Sequence, residues 1–304
     1  MHQDKALMTQ GLTKSYGRIR ALRGVDLEVE RGEIFGFLGP NGAGKTTTIR
    51  CLLDLIRPDS GTIRVLGIDP QADPVAVRAR AGYLPGELSL EANLSVQDQL
   101  KYYDELRGNR TTAKQVQALA KRLELDLTMP IKNLSKGNKQ KVGVIQALMH
   151  RPELLMLDEP TAGLDPLMQQ EVYRLLKEAR DGGTTVFFSS HIISEVEAIA
   201  SRVAIIRQGV IVEEAEPRQL VNMAMRRLHV RFSEPVDPEP LDRVEGISLV
   251  SQSNGLHATL QVSGEMDNLI KALANFPVSD IDIERPSLEE IFLTYYEAPD
   301  EEAD

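Results

Sequence analysis

The sequence predicts an α/β fold. A mostly parallel sheet carries helices on its faces, with antiparallel strands ahead of it, a helical insertion within it and a small α+β domain behind it. Three observations carry this. A glycine-rich run, Gly39-Pro40-Asn41-Gly42-Ala43-Gly44-Lys45-Thr46, joins a short apolar segment at 33–38 to a segment of helical character at 47–53. A second apolar run, Leu154-Leu155-Met156-Leu157, stands between Pro152 and Pro160 and ends on Asp158-Glu159. The composition changes after about Asn222, where the prolines and acids of 234–240 open a region of short elements.

Taken in order, residues 6–30 read as short strands, and Val25–Glu30 alternates apolar and acidic as a half-exposed antiparallel strand does. Tyr16 falls in the turn between the first strands, where its ring serves either to stack on a base or to cover the sheet. Strand, glycine-rich turn and helix start then form a phosphate-binding loop. Its glycines let backbone N–H groups converge on an anion, and the helix N-terminus adds roughly half a positive charge. Lys45 is expected to reach the β- and γ-phosphates and Thr46 to bind Mg²⁺. Pro58-Asp59-Ser60-Gly61 marks a turn, Thr62–Leu66 a strand and Asp73–Arg80 a short helix. From Ser95 to about Glu124 the pattern is helical, with Leu100, Tyr103 and Leu106 on one face and Leu119 and Leu123 on another. A further helix begins after Leu134-Ser135-Lys136-Gly137.

Leu154–Leu157 reads as a central parallel strand. Asp158 and Glu159 fall at its C-terminal end, where open parallel sheets bind ligands. Helix 167–180 and strand 184–188 follow, with His191 just past the strand. The first carboxylate is expected to hold Mg²⁺, directly or through water, and the second to polarise the attacking water. His191 is placed to bond the γ-phosphate or to order that water. Strands near 247–252, 256–262 and 278–284, with helices near 266–275 and 287–296, make up an appendix of about 80 residues. It holds no cluster with metal-ligand or nucleophile spacing.

Net charge is −10, and Glu297, Asp300, Glu301, Glu302 and Asp304 supply half of it. An acidic chain without a basic stripe argues against a nucleic-acid partner. Mean hydropathy is −0.23 and no apolar run approaches a membrane span, so a soluble, cytoplasmic chain is expected. No secretion signal opens the sequence. Cys51 is the only cysteine, which excludes an internal disulfide.

The stretches Gly39–Thr47, Leu134-Ser135-Lys136-Gly137-Asn138, Leu154–Pro160, Gly163-Leu164-Asp165 and His191 together resemble the ATPase subunit of an ABC transporter, in that family's order and over roughly residues 5–220. Tyr83-Leu84-Pro85-Gly86-Glu87, the run at 134–141 and Pro286–Leu293 are similar to its drug-exporter branch. The resemblance implies a P-loop NTPase core (1–221, with a helical insertion at about 86–150), an accessory α+β domain (222–297) and an acidic tail (298–304). It implies that ATP and Mg²⁺ bind to Tyr16, Gly39, Pro40, Asn41, Gly42, Ala43, Gly44, Lys45, Thr46 and Thr47, with Thr46 and Asp158 on the metal and Glu159, His191 and Lys45 catalytic. Ser135 and Gly137 would serve the nucleotide of a second copy in a head-to-tail dimer, a homodimer by preference. A separate multi-span membrane permease would place the chain on the cytoplasmic face of the membrane. There Tyr102, Tyr103 and Leu106 serve either as docking anchors or as packing inside the insertion.

Two departures stand out. The family usually places a glutamine after the Tyr-x-Pro turn. Here Gly86 and Glu87 follow, so either Glu87 takes the metal contact or the contact is lost. Lys136 and Asn138 replace the usual glycine and glutamine of the signature, and Lys136 is either a solvated charge or a source of positive potential near the γ-phosphate. The competing reading is a soluble ABC ATPase acting on ribosomes or nucleic acid. A second cassette or a basic stripe would favour it, and the sequence has neither.

Overall fold

Phe35, Phe37, Phe187 and Met156 stand on three short apolar runs, and all four side chains are fully buried. Strands buried on both faces belong inside a parallel sheet. In the computed structural model, which describes residues 5–217, 226–244, 246–262 and 266–284, these runs are β3 (Ile34–Leu38), β6 (Leu154–Asp158) and β7 (Thr185–Ser190). With β5 (Ala81–Leu84), β8 (Arg202–Arg207) and β9 (Val210–Ala215) they form a six-stranded sheet in the order β5-β6-β7-β3-β8-β9. Every neighbouring pair is parallel except β8 with β9. The chain clusters into two units, Met1–Ala215 and Glu216–Asp304. This division falls a few residues ahead of the boundary expected at 221.

A second, antiparallel sheet in the order β2-β1-β4 comprises β1 (Lys5–Tyr16), β2 (Ile19–Glu30) and β4 (Ser60–Val65). The strands read as short in 6–30 are instead two strands of 12 residues each. Register shifts between Thr9 and Leu12 and again near Thr13 and Ser15 break the two-residue period, which is why the pattern looks interrupted in sequence. Helix α1 (Lys45–Leu52) follows the phosphate loop, and α2 (Pro74–Arg80) starts on Asp73, whose side chain accepts from the Ala76 amide.

The helical stretch from Ser95 divides into α3 (Val96–Leu106) and α4 (Ala113–Arg122). Ser95 caps the first, and Thr112 caps the second through a reciprocal bond with Gln115. Of the face expected to pack, Leu100 is buried and Tyr103 half-buried, while Leu106 is 65% exposed. Helix α5 (Lys136–Leu148) begins on Ser135 and leads into β6. Helix α6 (Pro166–Asp181) begins on Asp165, and α7 (Ile193–Ile199) follows β7.

The second unit is a four-stranded antiparallel sheet in the order β11-β12-β10-β13, from β10 (Arg226–Phe232), β11 (Ile247–Ser253), β12 (His257–Val262) and β13 (Val278–Glu284). Leu228, Val230, Leu260 and Val262 form its core with Leu269 and Leu273 of the helix Asp267–Leu273. Strand β10 was not expected. The helix expected near 287–296 and the acidic tail lie outside the described residues.

Candidate nucleotide site

The site grows out of the C-terminal ends of β3, β6 and β7, three adjacent strands of the sheet. Beyond β3 the chain turns through 39–44 and enters α1. Gly44 sits at φ +114°, a conformation that L side chains rarely adopt, and a Cβ there would stand 2.7 Å from the Ala21 carbonyl oxygen. Lys45 is the first helical residue and is 6% exposed. Its Nζ donates to the carbonyl oxygens of Gly39 at 2.6 Å and Pro40 at 3.1 Å and lies 3.5 Å from Glu159 Oε1. Burial lowers the Lys45 pKa, against the opposing pull of Glu159 and Asp158. A partly desolvated ammonium on three oxygens is poised to exchange the two backbone acceptors for phosphate oxygens.

A cleft of about 210 Å³ opens over this loop. Pro40, Asn41, Gly42, Gly44 and Lys45 through Thr47 line one side, and Ala21, Gly86, Asp158 and Glu159 face them. Ala43 does not line it. Its side chain is buried, and its carbonyl accepts from the Gly209 amide at 2.9 Å, so it braces the loop against the turn between β8 and β9.

The ends of β6 and β7 lie side by side, with Asp158 in register with Ser189. Thr46 Oγ1 donates to Asp158 Oδ2 at 2.7 Å and Ser189 Oγ donates to Oδ1 at 2.5 Å. Asp158 is 1% exposed, and both its oxygens are held by hydroxyls. Next to it, Glu159 takes φ +55°, an unfavourable region for a residue with a Cβ. Backbone bonds hold it there, among them one from the Ala162 amide to its carbonyl at 3.2 Å. Its amide donates to the Ser189 carbonyl and to Ser189 Oγ, each at 3.2 Å, and its carbonyl accepts from Gln140 Nε2 at 2.9 Å. The strained turn aims the carboxylate between two partners, Lys45 through Oε1 and His191 Nδ1 through Oε2 at 2.7 Å. Arrangement of the imidazole on that carboxylate puts the ring proton on Nδ1 and leaves Nε2 for another partner. Ser189 and Gln140 carried no signal in the sequence, since a serine in a buried strand and a glutamine on a helix are ordinary there.

Other expected site residues lie elsewhere. Tyr16 ends β1 with its ring 47% exposed and the Lys14 ammonium 5.9 Å from the ring centre; it is not part of the cleft wall. Ser135 caps α5, accepting from the Asn138 amide at 3.1 Å, and neither it nor Gly137 reaches the Lys45 cleft. Gly137 backs onto the turn before α6, where a Cβ would stand 2.7 Å from the Gly163 carbonyl oxygen. The Lys136 stem lies over Gly163. The position that faces Asp158 is Gly86, whose Cβ would meet Asp158 Oδ2 at 2.9 Å. Glu87 instead lines a neighbouring groove of about 330 Å³, with Arg78, Tyr103, Arg107 and Gln146. The structure therefore does not bring Glu87 to the Thr46–Asp158 pair, because the chain turns away from the sheet at Gly86.

Fold and site define a phosphate-loop ATPase whose single chain holds the loop, two strand-end carboxylates and a histidine, with the start of α5 outside the cleft. The family model for ABC transporters matches residues 22–162. A daunorubicin resistance ATP-binding protein of Streptomyces coeruleorubidus is 32% identical over 305 residues, covering 95% of this chain and 95% of the relative. A bacitracin transport ATP-binding protein of Bacillus licheniformis is 38% identical over 254 residues, covering 83% and 80%. A solved ATP-binding subunit of an ABC transporter superposes with a TM-score of 0.65 at 27% identity, over 71% of this chain and 91% of that one. The chain belongs to the ABC transporter family as an ATP-binding subunit, and it is an ATPase of that class.

Proposed function

We propose that this chain powers export of a drug or lipophilic compound through a separate multi-span permease, by closing head to tail with a second copy over two ATP molecules. The observation that carries the reading is the split of the site. Lys45, Thr46, Asp158 and Glu159 line one cleft and His191 joins them through its bond to Glu159, while Ser135 and Gly137 form a helix start that does not line it. A head-to-tail pair of copies would complete each cleft with the other's Ser135. The relatives resistant to daunorubicin or transporting bacitracin support an export role. Among the described residues no helix is long and apolar enough to cross a membrane, which fits a peripheral subunit on the cytoplasmic face.

Lys45 binds the β- and γ-phosphates, with the amides of the 39–44 loop as further donors. Thr46 and Asp158 fit Mg²⁺: two hard oxygen donors stand 2.7 Å apart beside the phosphate loop. No three His, Cys, Asp or Glu side chains cluster for a metal among the described residues, so phosphate oxygens and water would fill the remaining positions. Bound there, Mg²⁺ neutralises charge on the phosphates. Glu159 accepts the proton of the attacking water, and its conformation aims the carboxylate before substrate arrives. His191 holds that carboxylate through Nδ1 and presents the other ring nitrogen to the γ-phosphate.

The test is co-purification of the tagged chain from detergent-solubilised native membranes, with mass spectrometry. A multi-span membrane protein at fixed stoichiometry supports the reading. Ribosomes or nucleic-acid proteins with no membrane subunit refute it. In the same preparation Glu159→Gln is expected to bind ATP and stay dimeric with turnover reduced at least a hundredfold, about 3 kcal/mol of transition-state stabilisation; normal turnover would remove Glu159 from the general-base role.

A further inference from the structure

The mechanism leaves one deeply buried acid unused. Glu195 lies in the first turn of α7 and is 3% exposed. Its partners are hydroxyls. Thr161 Oγ1 donates to Oε1, and Ser190 Oγ donates to Oε2 at 2.6 Å. A buried carboxylate held by neutral donors is a costly way to fill space, and an apolar residue of similar size would pack more cheaply. What the carboxylate adds is a fixed geometry for two turns at once.

Those turns carry the catalytic pair. Thr161 stands two residues beyond Glu159, and Ser190 immediately precedes His191. The Ser190 hydroxyl also accepts from the Ile192 amide at 2.9 Å, so the residues on both sides of His191 are tied to one oxygen. The 2.7 Å contact between His191 and Glu159 spans two strand ends that the Ser189 bonds described above also crosslink. We propose that Glu195 is a positioning residue for hydrolysis: its carboxylate clamps the turn carrying His191 to the turn that follows Glu159 and so sets the distance between them. This rests on the catalytic reading of Glu159 and His191.

The experiment measures kcat, KM, nucleotide affinity of the monomer and thermal midpoint for Glu195→Gln and Ser190→Ala, each in the wild-type and His191→Ala backgrounds. Glu195→Gln keeps the shape and is expected to lower kcat about tenfold while monomer affinity stays within about twofold, the split expected of a group acting only on the chemical step. Ser190→Ala attacks the same clamp from its other end and is expected to act in the same direction. In the His191→Ala background the further loss from Glu195→Gln is expected to shrink below about threefold, because the group it positions is gone. An equal tenfold loss in both backgrounds, a normal kcat in the single variants, or a loss explained by fallen affinity or folded fraction overturns the proposal. If Glu159→Gln and His191→Ala turn over normally, the catalytic reading itself fails. If those two lose turnover while Glu195→Gln and Ser190→Ala keep it, the positioning proposal fails alone.

Discussion

Gly137→Ala separates the signature's two duties. The added Cβ would stand 2.7 Å from the Gly163 carbonyl oxygen, where ordinary contact needs 3.4 Å, so the N-terminus of α5 and the turn before α6 must part by about 0.7 Å. Both contacting partners are backbone, and neither has a rotamer to change. Overpacking of this kind costs about 1–3 kcal/mol. Alanine in a helix returns up to ~1 kcal/mol relative to glycine. The net loss of stability is therefore about 0–2 kcal/mol, a few degrees in thermal midpoint. The effect on catalysis is larger. Ser135 moves with the helix, and a displacement approaching 1 Å at a positioning group costs on the order of 10–100-fold in rate. Phosphate release by the dimer at saturating ATP should fall by that factor, while calorimetric ATP binding by the monomer should not change, since Lys45 and the loop at 39–44 lie elsewhere. Full activity would show that the α5–Gly163 contact is not part of the working site. A loss of monomer affinity would show that the signature acts on its own chain's nucleotide.

Lys45→Ala removes the cation on which the cleft is centred, and ATP affinity measured by calorimetry is expected to fall by at least about tenfold; unchanged binding contradicts the loop assignment. Ser135→Ala deletes the α5 cap at a cost of about 1 kcal/mol, read as a lowered thermal midpoint, and is expected to reduce ATPase activity with near-normal monomer binding. Stability is also expected to depend on pH through His150. Burial, reinforced by Arg107, lowers its pKa from 6.5 to about 4. Its Nε2 lies 3.1 Å from Arg107 Nη1, and arginine only donates, so the ring there is neutral. The unfolded chain takes up the proton first, so this contribution is intact above pH 6.5 and is lost as pH falls toward 4. A fully buried group would lose ~3 kcal/mol over that window, and the partial exposure of this ring reduces the figure to roughly half. The thermal midpoint of His150→Gln should be flatter over the same range; an unchanged slope would rule His150 out as the cause.

What was legible in the sequence is what local spacing dictates. Glycines at 39, 42 and 44 followed by Lys45 and Thr46 specify a phosphate loop wherever a strand precedes and a helix follows, and Asp158-Glu159 at the end of an apolar run specify a strand-end pair. The illegible part depends on which strands become neighbours. Ser189 matters because β7 lies beside β6 with Ser189 against Asp158, and Gln140 matters because α5 passes under Glu159. Neither residue type is unusual where it stands, and neither pairing follows from periodicity. Whether Glu87 takes the metal contact or the contact is lost was open for the same reason. The direction in which the chain leaves β5 decides it, and Gly86 ends up against Asp158 while Glu87 lines the groove. The long β1–β2 hairpin was hidden by its own bulges, which scramble the alternation that would reveal it.

One helix connects everything the site shares with its surroundings. At its start α5 offers Ser135 and packs Gly137 on Gly163; one turn later Gln140 holds the Glu159 carbonyl. At Gly143 it lies so close to Leu84 and Leu88 that a Cβ would be 2.5 Å from the Leu84 side chain, and Gln146 near its end reaches the groove lined by Glu87, Tyr103 and Arg107. Thirteen residues make a rod about 20 Å long. A body seated in the groove therefore contacts the same rigid element that holds the strained backbone of Glu159 and carries Ser135 at its start. Displacing that rod by a fraction of an ångström changes all three contacts together, because packed helices shift as units and not residue by residue. Any partner that prefers one position of α5 must bias hydrolysis by its difference in affinity for the two positions, and ATP must bias that partner by the same amount.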